Sequence, residues 1–334
     1  MEYRIKDNSI CTVIGYGSWA TALVYSLLKN GKEIWWHISN DEIIDSIRTE
    51  GKNARYLYDV ELDKSRIHAT PDIDEAIRNS EIILIAAPSA YIVSIMGTMT
   101  ESLEGKFILS ATKGIIPEVY STVTEFFNRN YGLPYRNLGV ISGPSHAEEV
   151  SRGRLTYLTI ACKSEENSRI IGEMFNSESL RIEYSDDIYG IEYAGILKNI
   201  YAIAGGFADG LGYGDNFKAV LSSASAAEMS RFIHESYPFK RNTMDAPYLG
   251  DLLVTIYSSF SRNRRFGQLI GHGCTIKSAL NEMTMIAEGY FASKCIRHIN
   301  SRYGICMPIA DMVYDVLYRN ASPRKRMKEL AALL

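Results

Sequence analysis

Residues 9 to 28 read SICTVIGYGSWATALVYSLL, and this stretch decides the architecture of the first half of the chain. The run from Ser9 to Ile14 is apolar and rich in Ile and Val, which is typical of a buried strand. Gly15 and Gly17 then mark a turn, and the apolar segment from Thr21 to Leu28 has the composition of a packed helix. A strand, a glycine-rich turn and a helix therefore follow one another directly.

The turn has the spacing GxGxxA, with Gly15, Gly17 and Ala20 at its small positions. Between a strand and a helix, this spacing is the fingerprint of a dinucleotide-binding fold. Gly15 allows the tight turn, Gly17 lets the backbone approach a pyrophosphate, and Ala20 allows close packing of helix on strand. The helix N-terminus also attracts an anion. An ordinary tight turn would explain the glycines alone, but the agreement of strand, spacing and helix favours a cofactor site.

Short apolar runs alternate with amphipathic stretches up to about residue 190, the pattern of strands joined by crossover helices in a parallel sheet. The predicted strands are Ser9 to Ile14, Glu33 to His37, Arg66 to Ala69, Glu81 to Ala87, Lys106 to Ala111, Leu138 to Ser142, Leu155 to Ala161 and Arg181 to Tyr184. The second half carries predicted helices at Ile188 to Gly205, Asn216 to His234, Ile276 to Asn300 and Pro308 to Asn320. We therefore predict an α/β protein, with an N-terminal Rossmann-type doubly wound sheet at residues 1–187, an all-helical C-terminal domain at 188–334, and a ligand cleft between them.

The overall composition excludes several classes of binding partner. A chain of 334 residues with 46% hydrophobic residues is long enough for two folded domains. Its net charge of −3 offers no general attraction to nucleic acid or to an anionic membrane. The five cysteines include no CxxC pair, which favours a reducing compartment and no metal site. Because no signal peptide or membrane span is recognisable, we expect a soluble cytoplasmic protein without nucleic-acid partners or stable membrane insertion.

The end of the second predicted strand bears on the choice of cofactor. An NAD-selective Rossmann fold usually has an acidic residue there, but this chain reads Trp35-Trp36-His37-Ile38-Ser39-Asn40. His37 and Ser39 tolerate a 2′-phosphate, although no arginine lies beside them to bind it firmly. Both NADP and NAD remain open. A surface histidine after a strand is the alternative interpretation of His37.

One lysine lies in an otherwise apolar helical segment. Between Tyr193 and Ala208 the chain reads YAGILKNIYAIAGGFA, and Lys198 is the only charged residue of this segment. Such a segment is expected to be buried. A buried ammonium is costly without partners, so Lys198 is either paired for structure or placed for proton transfer with a lowered pKa. We favour proton transfer, because lysine is rarely used for purely structural burial.

Two polar elements follow predicted strands at the edge where parallel sheets bind ligands: Lys113 and the turn Ser142-Gly143-Pro144-Ser145. The alternatives are a solvated lysine and a helix start with Ser145 as N-cap. Farther on, SRNRRFG at 261–267 places three arginines within four residues. Guanidinium groups bind phosphate bidentately, so this cluster indicates a binding site for one small phosphate. The net negative charge of the chain argues against a nucleic-acid partner.

Together these segments resemble the NAD(P)-dependent glycerol-3-phosphate dehydrogenases of bacterial type along nearly the whole chain. The motifs that carry the resemblance are GYGSWATAL at 15–23, AAPS at 86–89, SATKGI at 110–115, SGPSHAEEV at 142–150, GIEYAGILKNIYAIAGGFADGLGYGDN at 190–216, GDL at 250–252, SRNRRFG at 261–267 and AEG at 287–289. The resemblance implies reversible hydride transfer between NADPH or NADH and dihydroxyacetone phosphate, giving sn-glycerol 3-phosphate for phospholipid synthesis. It also implies a homodimer.

The resemblance further implies roles for individual residues. Lys198 would donate the proton during reduction and accept it during oxidation, Lys113 would stabilise the developing oxyanion, and Asp251 would orient Lys198. The implied substrate pocket consists of Lys113, Gly143, Ser145, Lys198, Asp251, Ser261, Arg262 and Asn263, with Arg262 and Asn263 nearest the phosphate. The implied cofactor residues are Gly15, Gly17, Ser18, Trp19, His37, Lys113, Ala147, Arg262, Ile286 and Glu288.

Two departures and two alternatives stand beside this prediction. Many relatives carry an arginine where this chain reads Leu221-Ser222-Ser223-Ala224-Ser225. The segment before GDL reads Ala246-Pro247-Tyr248-Leu249, whereas a glycine-rich segment is common in the family.

One alternative function is that of a lysine-using dehydrogenase of the same two-domain plan that acts on a hydroxy acid. The other is a nucleotide-binding module that has lost its chemistry, against which the retention of Lys113, Lys198 and Asp251 argues.

Overall fold

A computed structural model describes residues 4–283, 285 and 287–334 of the chain. The chain divides into two compact units, the first comprising residues up to Thr112 together with Val123–Ile188, and the second Lys113–Thr122 together with Tyr189–Leu334. The short segment Lys113–Thr122 thus groups with the second unit, although it lies inside the range 1–187 expected for the first domain.

The first unit contains an eight-stranded sheet in the order β3-β2-β1-β4-β5-β6-β7-β8. The strands are β1 (Cys11–Ile14), β2 (Ile34–His37), β3 (Ile67–Thr70), β4 (Ile82–Ile85), β5 (Phe107–Ser110), β6 (Leu138–Ser142), β7 (Thr156–Cys162) and β8 (Leu180–Ser185). Neighbouring strands are parallel, except that β6 and β7 pair antiparallel. The order reverses between β1 and β4, which is the switch point where such sheets bind ligands. The predicted fold class is confirmed.

The described residues of the first unit form α-helices between and after these strands. They are α1 (Ser18–Lys29), α2 (Asp41–Glu50), α3 (Ile73–Arg78), α4 (Ile92–Met96), α5 (Val123–Tyr131), α6 (Ala147–Ser151) and α7 (Glu165–Phe175). Strands β1, β4 and β5 are buried at every position, as their apolar runs predict for strands covered on both faces. The N-cap interpretation of Ser145 is wrong: His146 precedes α6, and the Ser145 hydroxyl instead donates to the Gly143 carbonyl oxygen.

The described part of the second unit is helical. Its helices are α8 (Ile188–Gly210), α9 (Asp215–Ser236), α10 (Asp251–Tyr257), α11 (Arg262–Gly271), α12 (Ile276–Glu282), α13 (Glu288–Asn300), α14 (Pro308–Arg319) and α15 (Pro323–Ala331). The single helix predicted from Ile276 to Asn300 is wrong, because α12 ends at Glu282 and α13 begins at Glu288. A tertiary contact marks the new start: the Gly289 N–H in the first turn of α13 donates to the Asn263 side chain.

Helix α8 is the buried helix that the sequence predicted. Residues 190–208 are all buried, because their side chains are small or apolar on nearly every face. Lys198 lies in the middle of this stretch. Within the described residues, no helix combines the length and the apolar composition needed to cross a membrane.

Candidate active site

The glycine-rich turn of the first unit has the geometry that a dinucleotide needs. Gly15 has φ of +111°, and a Cβ there would lie 2.6 Å from the Ala87 backbone nitrogen, so only glycine fits this crossing. Gly17 is the N-cap of α1 and supplies no side-chain cap, and a Cβ at Gly17 would meet no atom within 4 Å. The open space at a helix N-terminus fits a pyrophosphate.

Indole and amide groups hold this turn in place. The Trp36 indole N–H donates to the Gly15 carbonyl oxygen at 2.7 Å, and the Trp19 indole N–H donates to the Ala111 carbonyl oxygen at 3.1 Å. The fully buried Asn53 amide donates to the Tyr16 carbonyl oxygen at 3.0 Å and to the Thr21 hydroxyl at 2.9 Å. Sequence reasoning missed Asn53, because an asparagine in a polar loop carries no local signal of such a contact.

His37 ends β2 and is buried, which overturns its interpretation as a surface histidine. Burial lowers the pKa of the His37 imidazole, and a hydrogen bond with the Pro71 backbone opposes this shift. The imidazole is therefore neutral at physiological pH.

Gly143, Ser145 and Ala147 also lie in the first unit, just after β6. Gly143 has φ of +133°, and a Cβ there would lie 2.7 Å from the Tyr157 carbonyl oxygen. The Ser145 hydroxyl donates to the Gly143 carbonyl oxygen at 2.9 Å, and Ala147 begins α6. The predicted cofactor and substrate residues Gly143, Ser145 and Ala147 therefore belong to the first unit, as do the residues of the glycine-rich turn.

The second unit brings Lys113, Lys198 and Asp251 into one cluster. Lys198 and Asp251 are 5% and 1% exposed, so neither charge is solvated. The Lys198 ammonium donates to Asp251 Oδ1, and the Lys113 ammonium lies 3.2 Å from Asp251 Oδ2. One carboxylate thus contacts two ammonium groups, each through a different oxygen.

The electrostatics of the cluster are suited to proton transfer. Burial lowers the pKa of Lys198 from its ordinary 10.5 to about 7, the Asp251 carboxylate opposes that shift, and the Lys113 charge adds to it. A pKa near neutrality lets an amine both donate and accept a proton at physiological pH. The interpretation of Lys198 as a proton-transfer group therefore has a physical basis.

Helix α10 begins at Asp251, directly after a π-helical turn at Ala246–Gly250. The Thr255 hydroxyl donates to the Asp251 carbonyl oxygen at 2.5 Å within the helix. The segment Ala246–Gly250 therefore leads into a regular helix, and this helix positions the Asp251 carboxylate. A π-turn of this kind is common at functional sites.

Side-chain amides link the other segments of the cluster. The Asn199 amide donates to the Lys113 carbonyl oxygen at 2.6 Å, and the Asn263 amide donates to Asn199 Oδ1 at 2.9 Å. Asn263 Oδ1 in turn accepts the Gly289 N–H at 2.9 Å. This chain of hydrogen bonds fixes the Lys113 backbone, α8, α11 and α13 against one another.

The three arginines of SRNRRFG have different surroundings. Ser261 caps α11 by accepting the Arg264 N–H. Arg264 binds the Asp209 carboxylate at 2.6 Å, and the exposed Arg265 lies 3.5 Å from Glu282. The Arg262 guanidinium contacts the neutral Met285 sulfur at 3.3 Å, so Arg262 is the best placed of the three to bind a ligand phosphate.

Glycines set the crossing of α8 and α11 that brings these groups together. A Cβ at Gly206 would overlap the Arg264 carbonyl oxygen, and a Cβ at Gly267 would overlap the Ile203 carbonyl oxygen. One turn farther along α11, a Cβ at Gly271 would lie 2.8 Å from a backbone oxygen of α8. The backbones therefore touch, and this close approach places Asn263 beside Asn199.

The serines of residues 221–225, where the sequence departs from the expected family pattern, lie within α9. The Ser222 hydroxyl donates to the Lys218 carbonyl oxygen at 2.8 Å, and the Ser225 hydroxyl donates to the Leu221 carbonyl oxygen at 2.7 Å. Ser223 is exposed on the same helix. The departure leaves α9 continuous.

Glu288 is the first residue of α13 and is partly buried. Ile286, also expected to contact the cofactor, lies outside the described residues.

Comparisons with known protein families identify both halves of the chain. The family model for the NAD-dependent glycerol-3-phosphate dehydrogenase N-terminus matches residues 10–168, and that for the C-terminus matches residues 187–328. The chain belongs to the NAD-dependent glycerol-3-phosphate dehydrogenase family. The resemblance found in the motifs is thereby confirmed, and the chain is a member of a family of NAD(P)-dependent oxidoreductases.

Curated members of the family match over nearly their whole length. The glycerol-3-phosphate dehydrogenase [NAD(P)+] of Staphylococcus epidermidis is 36% identical over 96% of both chains. The second such enzyme of Salinibacter ruber is 35% identical over 96% of this chain and 93% of its own. A crystal structure of glycerol-3-phosphate dehydrogenase from Coxiella burnetii has a TM-score of 0.90 with 28% identity, covering 98% of this chain and 99% of that one.

More distant structures share only the fold. D-mandelate dehydrogenase, an enzyme of the hydroxy-acid type, has a TM-score of 0.58 with 13% identity over 96% of this chain and 99% of that one. The comparisons therefore support the main prediction rather than the hydroxy-acid alternative.

Proposed function

We propose that this chain catalyses the reversible reaction of dihydroxyacetone phosphate, NAD(P)H and a proton to give sn-glycerol 3-phosphate and NAD(P)+. The observation that carries this proposal is the buried cluster of Lys198, Asp251 and Lys113, in which burial sets the pKa of Lys198 to about 7. A dehydrogenase of a ketone needs a group that delivers a proton as the hydride arrives. Lys198 has the protonation behaviour for that task.

Each member of the cluster has a separate role. When bound, the nicotinamide ring supplies or accepts the hydride. Lys198 gives its proton to the carbonyl oxygen during reduction and takes it back during oxidation. Lys113 stabilises negative charge developing on that oxygen, because a fixed ammonium in a water-poor site interacts strongly with it. Asp251 holds both ammonium groups and favours the protonated form of Lys198.

The substrate phosphate is bound by Arg262 and Asn263, with Ser261 capping the same helix. Arg262 supplies the charge, and Asn263 is held between Asn199 and the Gly289 N–H. Gly143, Ser145 and Ser261 are the further proposed substrate residues. Binding the remote phosphate positions the ketone, so part of the binding free energy lowers the barrier to reaction.

The glycine-rich turn of the first unit binds the pyrophosphate of the cofactor. Gly15 and Gly17 leave room for the pyrophosphate at the start of α1, which supports the fit of a dinucleotide. The other proposed cofactor residues are Ser18, Trp19, His37, Lys113, Ala147, Arg262, Ile286 and Glu288. We further propose that the protein is a cytoplasmic homodimer that supplies glycerol phosphate for phospholipid synthesis.

The experiment is to follow loss of nicotinamide absorbance with dihydroxyacetone phosphate, unphosphorylated dihydroxyacetone and a keto acid as separate substrates. We expect oxidation of the reduced cofactor only with the phosphorylated ketone. Turnover of the keto acid at an equal or higher rate would contradict the proposal in favour of a hydroxy-acid dehydrogenase. Cofactor binding without turnover of any ketone, from folded protein, would indicate a binding module.

A further inference from the structure

The end of β2 lies beside the glycine-rich turn. Strand register pairs Ile14 with His37, so the residues after His37 lie next to the turn that begins at Gly15. His37 and Ile38 are buried, and Ser39 is the first exposed side chain. Its hydroxyl donates to the Tyr16 hydroxyl at 3.3 Å, and Tyr16 lies between the two glycines of the turn.

This position is where Rossmann folds distinguish the two nicotinamide cofactors. A carboxylate there bonds the ribose 2′-hydroxyl of NAD, and an arginine there binds the 2′-phosphate of NADP. Residues 37–42 read HISNDE, with no lysine or arginine and with Asp41 and Glu42 in the first turn of α2. The segment thus presents one hydroxyl group, that of Ser39, followed by negative charge.

A nearby arginine is already engaged. The Asn53 side chain bonds to Tyr16 and also accepts the Arg55 backbone N–H at 3.1 Å, which ties this loop to the glycine-rich turn. The Arg55 guanidinium donates twice to Glu42 Oε2, at 2.9 Å and 2.6 Å. Glu42 therefore neutralises the Arg55 guanidinium, which is the positive charge that this loop places near the end of β2.

We propose that the Ser39–Tyr16 hydroxyl pair and the Glu42–Arg55 ion pair make the site selective for NAD(H) over NADP(H). This inference rests on the proposed function, because it concerns the cofactor of the same site. Two hydroxyls match a ribose 2′-hydroxyl, which both donates and accepts hydrogen bonds. A 2′-phosphate dianion would lose hydration beside Asp41 and Glu42, and the Arg55 guanidinium is already paired with Glu42.

Equilibrium binding tests the selectivity without turnover. Dissociation constants for NADH and NADPH are measured on the full chain by quenching of tryptophan emission. We expect NADH to bind about 10- to 100-fold more tightly than NADPH, the cost of a missing charged hydrogen-bond partner. Equal binding, or tighter binding of NADPH, would overturn the inference.

Three variants test the residues. Ser39→Arg adds a guanidinium at the end of β2 and is expected to reverse the preference. Glu42→Gln releases Arg55 and is expected to raise the affinity for NADPH relative to NADH severalfold. Glu50→Gln is the matched control, because Glu50 ends the same helix and contacts the Tyr58 hydroxyl instead. A preference that is unchanged in both Ser39→Arg and Glu42→Gln would overturn the assignment to these residues.

The outcomes separate this inference from the proposed function. Tighter binding of NADPH with intact turnover of dihydroxyacetone phosphate would overturn the inference alone. Failure of folded protein to bind either cofactor would overturn the inference together with the proposed function. Selective binding of NADH without turnover would support the inference and contradict the proposed reaction.

Discussion

Asp251 and Lys198 form an ion pair in which both side chains are almost fully buried, although 53 residues separate them in the chain. A second ammonium, that of Lys113, lies 3.2 Å from the other oxygen of the same carboxylate. Removing one partner of a buried pair leaves an uncompensated charge, so this arrangement is expected to be sensitive to change at Asp251.

Asp251→Asn keeps the size of the side chain but removes its charge. Without the carboxylate, the pKa of Lys198 is expected to fall further below about 7, because burial and Lys113 still favour the neutral amine. We expect reduction of dihydroxyacetone phosphate at pH 7.5 to fall about 100-fold or more. The exposed Asp245, which contacts Asn242, supplies the control Asp245→Asn, and equal activity of the two variants would refute the role of Asp251.

The pKa of Lys198, about 7, gives the two directions of the reaction opposite pH dependence. Reduction needs the protonated amine, so its kcat/KM is expected to fall as pH rises through about 7. Oxidation needs the neutral amine, so its kcat/KM is expected to rise over the same interval. Lys198→Met is expected to bind cofactor while losing most turnover in both directions. Near-normal turnover in that variant would remove Lys198 from its role.

Arg262 and Arg265 allow a matched test of the phosphate site. Arg262→Ala is expected to raise KM for dihydroxyacetone phosphate about 10- to 100-fold, the loss of a charged hydrogen bond. Arg265→Ala removes the same group from the same helix, but the Arg265 guanidinium is paired with Glu282 at 3.5 Å, so KM is expected to stay unchanged. Steady-state kinetics of both variants decide the point, and similar KM values would exclude Arg262 from phosphate binding.

The glycine crossing of α8 and α11 predicts a loss of both stability and substrate affinity. Gly206→Ala forces the helices apart, because its Cβ would overlap the Arg264 carbonyl oxygen. We expect the free energy of unfolding to fall by about 1–3 kcal/mol, the range for overpacking. KM for the phosphorylated substrate is expected to rise as Asn263 moves away from Asn199. Gly214→Ala is the control, since a Cβ there meets no atom within 4 Å, and equal effects of both substitutions would contradict this prediction.

Glu228 predicts a pH dependence of stability. The carboxylate is 1% exposed and accepts the Ile309 and Ala310 N–H groups in the first turn of α14, at 2.8 Å and 3.0 Å. Burial raises the pKa of Glu228 from its ordinary 4.5 to about 7, against the effect of these N–H groups. A carboxyl group whose pKa is raised in the folded state stabilises the fold at pH values below its pKa in the unfolded chain. This stabilisation is lost as pH rises through about 7.

Glu228→Gln removes this titration and is compared with wild type by chemical unfolding between pH 4.5 and pH 8. The difference in unfolding free energy between the two proteins is expected to change by at most about 3 kcal/mol across that interval. Glu235→Gln, at an exposed site on the same helix, is expected to give a constant difference. A constant difference for Glu228→Gln as well would show that Glu228 has an ordinary pKa.

Several features of the fold are local and could be predicted from the order of the residues. All eight strands were predicted to within a few residues, because a short apolar run bounded by turn residues is a local property. The burial of α8 also followed from composition, since a helix without a polar face has no side to expose. The same apolar segment also predicts that Lys198 is buried and that its charge needs a compensating partner.

The pairing of these elements and the contacts between charged groups could not be predicted in this way, because they arise in the folded chain. The antiparallel pairing of β6 with β7, the grouping of Lys113–Thr122 with the second unit and the break before α13 depend on contacts between distant segments. Lys113 and Asp251 are 138 residues apart, and nothing local to either predicts their ion pair. The physical reason is that strand direction, burial and pKa are set by what surrounds a group in space, whereas propensity and periodicity are set by its neighbours along the chain.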